Sequence, residues 1–141
     1  MQRGLAGAIL NRFEQKGLII QGIKMMQLDE PILRQHYAHL VDRPFFPFLV
    51  ESMSWCPVIV VAIAGVDAVA CVREMVGATN CRKATPGTIR GDFGMSGQKN
   101  IIHASDSLEN AEKEINRFFK PEELFDFTPV TLPAIYAPDE L

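Results

Sequence analysis

At 141 residues, 48% of them hydrophobic, the chain can bury one sizeable core and is too short for two comfortable ones, so a single domain is expected. The formal charge of −3 argues against a general nucleic-acid binder and toward a small anionic partner met by a local pocket of arginines. Cys56, Cys71 and Cys81 are odd in number and contain no Cys-x-x-Cys pair, and the first residues lack the basic-then-apolar layout of a secretory leader. Free thiols in a reducing cytosol fit best, with the cytoplasm as the expected location.

Leu5 to Lys16 places Leu5, Ile9, Leu10 and Phe13 at helical spacing, and Gly17 stands where a helix C-cap belongs. Leu18 to Met26 reads as a largely buried strand. Asp29 offers a cap for a helix starting near Pro31 and running to about His39. His36 and His39 share one face of that helix; with no third ligand at suitable spacing they read as solvated helix residues, and no protein-ligated metal is expected. Asp42-Arg43-Pro44 breaks the helix before a short one around Pro47 to Met53.

Val58 to Ala64 is a second strand, too short to cross a bilayer, which needs about 20 apolar residues. Val66 to Val76 follows as a helix ending at Gly77. Ala78 to Gly97 shows little periodicity and reads as a long functional loop. Ile101 and Ile102 form a short strand leading into His103. Asp106 with Glu109 caps a final helix over Ser107 to Phe119. Alternating strands and helices predict an α/β sandwich with helices covering a small sheet.

The chemistry centres on Asn100-Ile101-Ile102-His103-Ala104-Ser105-Asp106, which sets one histidine among an amide, a hydroxyl and a carboxylate. A neutral imidazole nitrogen attacks phosphorus near neutral pH and yields a phosphoramidate reactive enough to pass the group on. The run reads Asn-x-x-His-x-Ser-Asp. Together with Arg90-Gly91-Asp92-Phe93 and Arg43-Pro44-Phe45-Phe46 upstream, it resembles the active-site signature of the nucleoside diphosphate kinases, a likeness extending from Gln2 to roughly Glu123.

That resemblance implies a ferredoxin-like α/β (α+β) fold with an antiparallel sheet. It also implies a ping-pong cycle in which His103 carries a phosphoryl group between nucleoside tri- and diphosphates. Glu114 would orient the His103 ring with Ser105 assisting. Arg73, Thr79 and Arg90 match positions that contact nucleotide phosphates, with Tyr37 nearby, and forked guanidinium donors suit that geometry. Asn100 would bind a ribose hydroxyl, while Phe45 and Leu49 would form a stacking platform that does not select the base. Mg2+ would arrive with the nucleotide, reached from Asp106 through water. The family implies a homo-oligomer, a hexamer before a tetramer, with contacts from the Ala78 to Gly97 loop and the tail Pro129 to Leu141; the sequence beyond Leu124 diverges most from the family.

Three departures accompany the match. Phe48 stands where many members have glycine, and Cys81 replaces a proline of the trimer-contact loop. Family members also begin with a central strand ending in Lys-Pro-Asp-Gly just before Gln-Arg-Gly, whereas this sequence opens Met1-Gln2-Arg3-Gly4. The alternative expectation is therefore a non-catalytic or partner-dependent subunit of the same fold, with a misplaced start in a longer gene product preferred as the origin of the shortened front.

Overall fold

The computed structural model describes residues 3–140, so Met1 and Gln2, where a shortened front was expected, lie outside the described residues. The first helix, α1 (Ala6–Lys16), stops where Gly17 takes a left-handed φ of 95° and returns its N–H to Glu14 and Phe13. Strand β1 (Ile19–Met26) pairs antiparallel with β2 (Val58–Ala64), from Ile19 opposite Ala64 to Met26 opposite Val58, with a bulge between Ile20 and Gly22. Gly22 is needed there because a Cβ would stand 3.0 Å from the Glu123 carbonyl oxygen, where the C-terminal segment crosses the strand.

Between the strands lie α2 (Glu30–His36), capped by the Asp29 carboxylate on the Ile32 N–H, and α3 (Phe46–Ser54). The chain after α2 tightens into a 3-10 turn over Ala38–Leu40 and so does not continue the helix to His39. Helix α4 (Ala68–Val76) ends at Gly77. The stretch expected as an irregular loop holds a 3-10 turn at Cys81–Lys83 and a short helix, α5 (Ile89–Phe93), whose Thr88 hydroxyl caps the Gly91 N–H. The last helix, α6 (Leu108–Phe118), starts from Ser107, whose hydroxyl accepts from the Asn110 N–H. Asp106 is therefore not the cap; its carboxylate accepts instead from the Asn110 side-chain amide at 2.6 Å.

Ile101 and Ile102 are not a strand. The Ile102 N–H closes on the Asn100 carbonyl at 2.9 Å with Ile101 at φ 75°, a strained three-residue turn in which a β-branched side chain occupies the left-handed region. The carbonyls of Asn100 and Ile102 accept from the Arg90 guanidinium, which takes them out of any ladder. Among the described residues the sheet has two strands, and no backbone hydrogen bond joins β2 to anything but β1.

The main core sets Phe13 and Leu18 against Val76 and Ile89, with Ile63, Val72, Phe93, Ile102 and Ala104 packed around them. It thus ties α1, α4 and α5 to the segment that carries His103. Arg12 of α1 reinforces the joint by an ion pair with Asp92 of α5, whose other oxygen accepts the Gly87 N–H. No helix among the described residues is long and apolar enough to cross a membrane.

Ile89 is fully buried at the centre of that joint. Ile89→Ala is expected to lower the unfolding free energy by about 2–5 kcal/mol, from lost transfer energy and the cavity left behind. Urea denaturation followed by circular dichroism reads this directly; a loss below ~1 kcal/mol would mean that the cluster is not the structural centre.

Candidate active site

The site begins with Arg90, the only charged residue buried among those described, 8% exposed at the start of α5. Its three nitrogens donate to three carbonyls: Nη1 to Gly77 at 2.9 Å, Nε to Asn100 at 3.2 Å and Nη2 to Ile102 at 2.6 Å. This fork joins the C-terminal end of α4 to the Asn100–His103 turn. A guanidinium has five N–H donors, so at most one remains on each terminal nitrogen for an outside anion. Burial pushes the Arg90 pKa down from its ordinary value, and no carboxylate pairs with it among the described residues. Arg90 is thus chiefly a brace that also lends uncompensated positive charge, rather than a freely presented phosphate ligand.

Arg73 on α4 is exposed, and Thr79 follows Gly77 on the same connection, so the Arg90 brace sets both relative to the His103 turn. Arg73 acts electrostatically on both Arg90 and Asp106, which places three expected site residues within one field. The Asn110 hydrogen bond, ahead of that field, holds the exposed Asp106 carboxyl below its usual range.

His103 follows the strained turn, with its side chain 44% exposed. Its Nε2 lies 3.3 Å from Glu114 Oε1, and the Ser105 hydroxyl donates to Glu114 Oε2. A carboxylate only accepts, so Nε2 must carry the proton and Nδ1 keeps its lone pair. Glu114 sits two turns into α6, where the Ser107 start of the helix aims it back at the histidine. His103, Ser105 and Glu114 are therefore brought together as expected.

Tyr37 also reaches the site, its ring centroid 6.1 Å from that of His103. Burial, and then the nearby Glu114 charge, raise its pKa to about 12, so it remains a phenol donor at neutral pH. Phe45 and Leu49 lie one helical turn apart at the start of α3, linked by the Leu49 N–H to Phe45 carbonyl bond, with Phe45 47% exposed. Phe48 beside them is exposed as well, which extends the aromatic surface.

His36 departs from the reading of a solvated helix residue. Its side chain is 6% exposed and packs edge-on against His103 at 4.6 Å between centroids, while His39 stays exposed on the 3-10 turn. Arg117 Nη1 donates to His36 Nδ1 at 3.1 Å, and Phe118 closes the far side. Arg117 and Phe118 lie three and four residues after Glu114, on the same face of α6, and that spacing was the available signal for them. His36 directly before Tyr37 offered a weaker one.

This is a phosphotransferase-type site: a held imidazole with a free nitrogen, ringed by guanidinium, hydroxyl and phenol donors. Residues 1–124 match the family model described as nucleoside diphosphate kinase. The nucleoside diphosphate kinase of Parabacteroides distasonis is 55% identical over 140 residues, which cover 99% of this chain and 92% of that protein. Nucleoside diphosphate kinase B of Bos taurus is 50% identical over 96% of this chain and 90% of its own length. The structure of a halophilic nucleoside diphosphate kinase from Halobacterium salinarum in complex with CDP superposes with a TM-score of 0.92 at 42% identity, covering 96% of this chain and 90% of that one.

The chain belongs to the nucleoside diphosphate kinase family and has its α/β ferredoxin-like fold; it is a phosphotransferase. The match to the family model ends at Leu124, while the alignment with the Parabacteroides relative spans 99% of this chain.

Burial, and then the nearness of His103, bring the His36 pKa down to about 4 against 6.5 for a free imidazole; Glu114 opposes the shift, and Arg117 and His39 add to it. The unfolded chain therefore takes up this proton before the folded one does. Stability is expected to fall as pH drops from about 6.5 to about 4, by on the order of 2–3 kcal/mol from this group. Urea midpoints across that window in chelator-treated buffer would measure it, and His36→Gln should remove this part of the slope. An unchanged slope in the variant would assign the acid sensitivity to other groups.

Proposed function

We propose that His103 Nδ1 attacks the terminal phosphorus of a nucleoside triphosphate and later returns the group to a different nucleoside diphosphate. The observation that carries this is the Glu114 contact to Nε2, which fixes the proton there and leaves Nδ1 nucleophilic. The Nδ1–P bond forms as the bond from phosphorus to the bridging oxygen breaks, and the diphosphate leaves with that electron pair. The ring, still protonated at Nε2, becomes cationic, and the Glu114 carboxylate stabilises that charge. Ser105 assists by holding the other carboxylate oxygen.

Arg73, Thr79 and the remaining Arg90 donors bind the phosphate oxygens, and Tyr37 donates beside them. Asn100 takes the ribose, and the base stacks on Phe45 against Leu49, which accommodates different bases. The CDP held by the Halobacterium relative supports a nucleotide here. Asp106 is exposed and kept ionised, which suits a carboxylate that meets nucleotide-borne magnesium through water. Magnesium supplies charge neutralisation across the phosphates when bound.

The same reading includes a cytosolic enzyme that assembles as a hexamer. Phe125, Phe127 and Val130, all exposed on the tail, support an assembly that would cover them.

A partner-dependent subunit of the same fold is the second reading. It is favoured by the outer edge of β2, which is unpaired among the described residues, since a two-stranded sheet is marginal alone and an added strand would satisfy that edge.

Intact mass spectrometry after Mg-ATP, then after a GDP chase, separates the two. One phosphate gained and lost is expected from the native chain and none from His103→Ala; a labelled His103→Ala would overturn the assignment. Glu114→Gln should slow transfer about 10–100-fold while leaving nucleotide affinity near its original value.

A further inference from the structure

We infer that His36, His103 and Glu114 form a binding site for Zn2+, and that zinc there traps His103 in the tautomer that cannot attack phosphorus. The binding stands on the geometry alone; its consequence for transfer rests on the reading of His103 as the nucleophile.

One ligand atom from each of the three residues lies within 4.8 Å of the others. Two of the three separations are shorter: His103 Nε2 to Glu114 Oε1 is 3.3 Å, and His36 Nδ1 to the same oxygen is 3.8 Å. Tetrahedral zinc with ligands about 2.0–2.1 Å away sets its donors roughly 3.3 Å apart, so one edge already fits and the others close by small side-chain rotations. Two imidazoles and a carboxylate with a fourth position open form a zinc donor set. Magnesium, which prefers six oxygens, is poorly served by it, so the site discriminates against the ion expected on the nucleotide.

The surroundings prepare the ligands. Ser105 holds Glu114 Oε2, which leaves Oε1 turned toward both imidazoles. The exposed side of His103 gives an ion its entry. The opposing feature is Arg117, whose Nη1 donates to His36 Nδ1 at 3.1 Å and must yield that nitrogen to the metal.

The consequence follows from proton placement. Without metal, Nε2 of His103 carries the proton and Nδ1 the lone pair. Zinc takes the Nε2 lone pair, the proton moves to Nδ1, and no lone pair remains to form the bond to phosphorus. No net proton is gained or lost by the ring.

The test is a calorimetric titration of ZnCl2 into the full chain without nucleotide, with nitrogen-detected NMR of the imidazoles on the same samples. One zinc per chain is expected, weakened at least tenfold in His36→Ala, with the His103 signal changing from the Nε2–H to the Nδ1–H form. The NMR change in the unaltered chain stands even if His36→Ala folds poorly. A Cys56→Ser, Cys71→Ser, Cys81→Ser variant should bind unchanged; loss of binding there, zinc bound equally well by His103→Ala, or no change of tautomer would overturn the inference. If ATP labels His103 but zinc does not bind, only the metal site fails. If zinc binds and shifts the tautomer but ATP leaves no label, only the kinase assignment fails.

Discussion

The buried guanidinium of Arg90 is the constraint on which the rest of the site depends. It lies at the head of a five-residue helix and grips three carbonyls that belong to two separate connections. Each charge-assisted bond of this kind is worth about 1.5–3 kcal/mol, and removing the side chain would leave three carbonyls without that partner. The three bonds also hold the His103 turn against the end of α4. Gly77 sits at the meeting point with φ 82°, and a Cβ there would stand 2.4 Å from the Thr88 hydroxyl oxygen. The α4 end, the α5 cap and the brace therefore fit together only with glycine at that position.

A firm floor matters because the turn it supports is strained. A β-branched residue at positive φ costs on the order of 1–3 kcal/mol and persists only where neighbours over-determine it. Ile101 is in that state two residues before His103. Ile102, next to it, is packed against the main core and has its carbonyl held by Arg90, so core burial and one buried charge together maintain the conformation. The histidine is thereby delivered half-exposed from a rigid segment, while Glu114 approaches from α6 and sets its ring.

Much of this was legible in the residues and some was not. Helix ends signalled by a special local chemistry were readable: Gly17 as a left-handed stop and Asp29 as a side-chain cap need nothing beyond their immediate neighbours. The start of α6 was ambiguous because Ser105, Asp106 and Ser107 are all capable caps, and only the three-dimensional path selects Ser107. Helix α5 escaped because five residues carry too little periodicity to register. The reading of Ile101 and Ile102 as a strand failed for a tertiary reason, since a remote arginine takes the carbonyls a ladder would use. His103, Ser105 and Glu114 could be grouped in advance because the family resemblance names them and they lie within one turn and one helix. His36 was missed because its burial is created by α6, about eighty residues away along the chain.

The charges around His36 and Arg90 show how one small site keeps two opposite demands apart. In the proposed mechanism incoming phosphates need positive potential, which Arg73 and Arg90 would supply from α4 and α5. A nucleophilic imidazole needs the reverse, a neighbour that does not compete for its protons and a carboxylate that accepts one. His36 is driven toward its neutral form, so the ring packed edge-on against His103 adds no charge near neutral pH. Glu114 directs its carboxylate to Nε2, on the opposite edge of the ring from the nitrogen that would meet phosphate. If Glu114 bonded Nδ1 instead, the same residues would repel the phosphoryl group at the attacking atom. With one carboxylate oxygen held by Ser105 and the other facing His103, the hydroxyl would, in the proposed mechanism, act on the histidine without touching phosphorus.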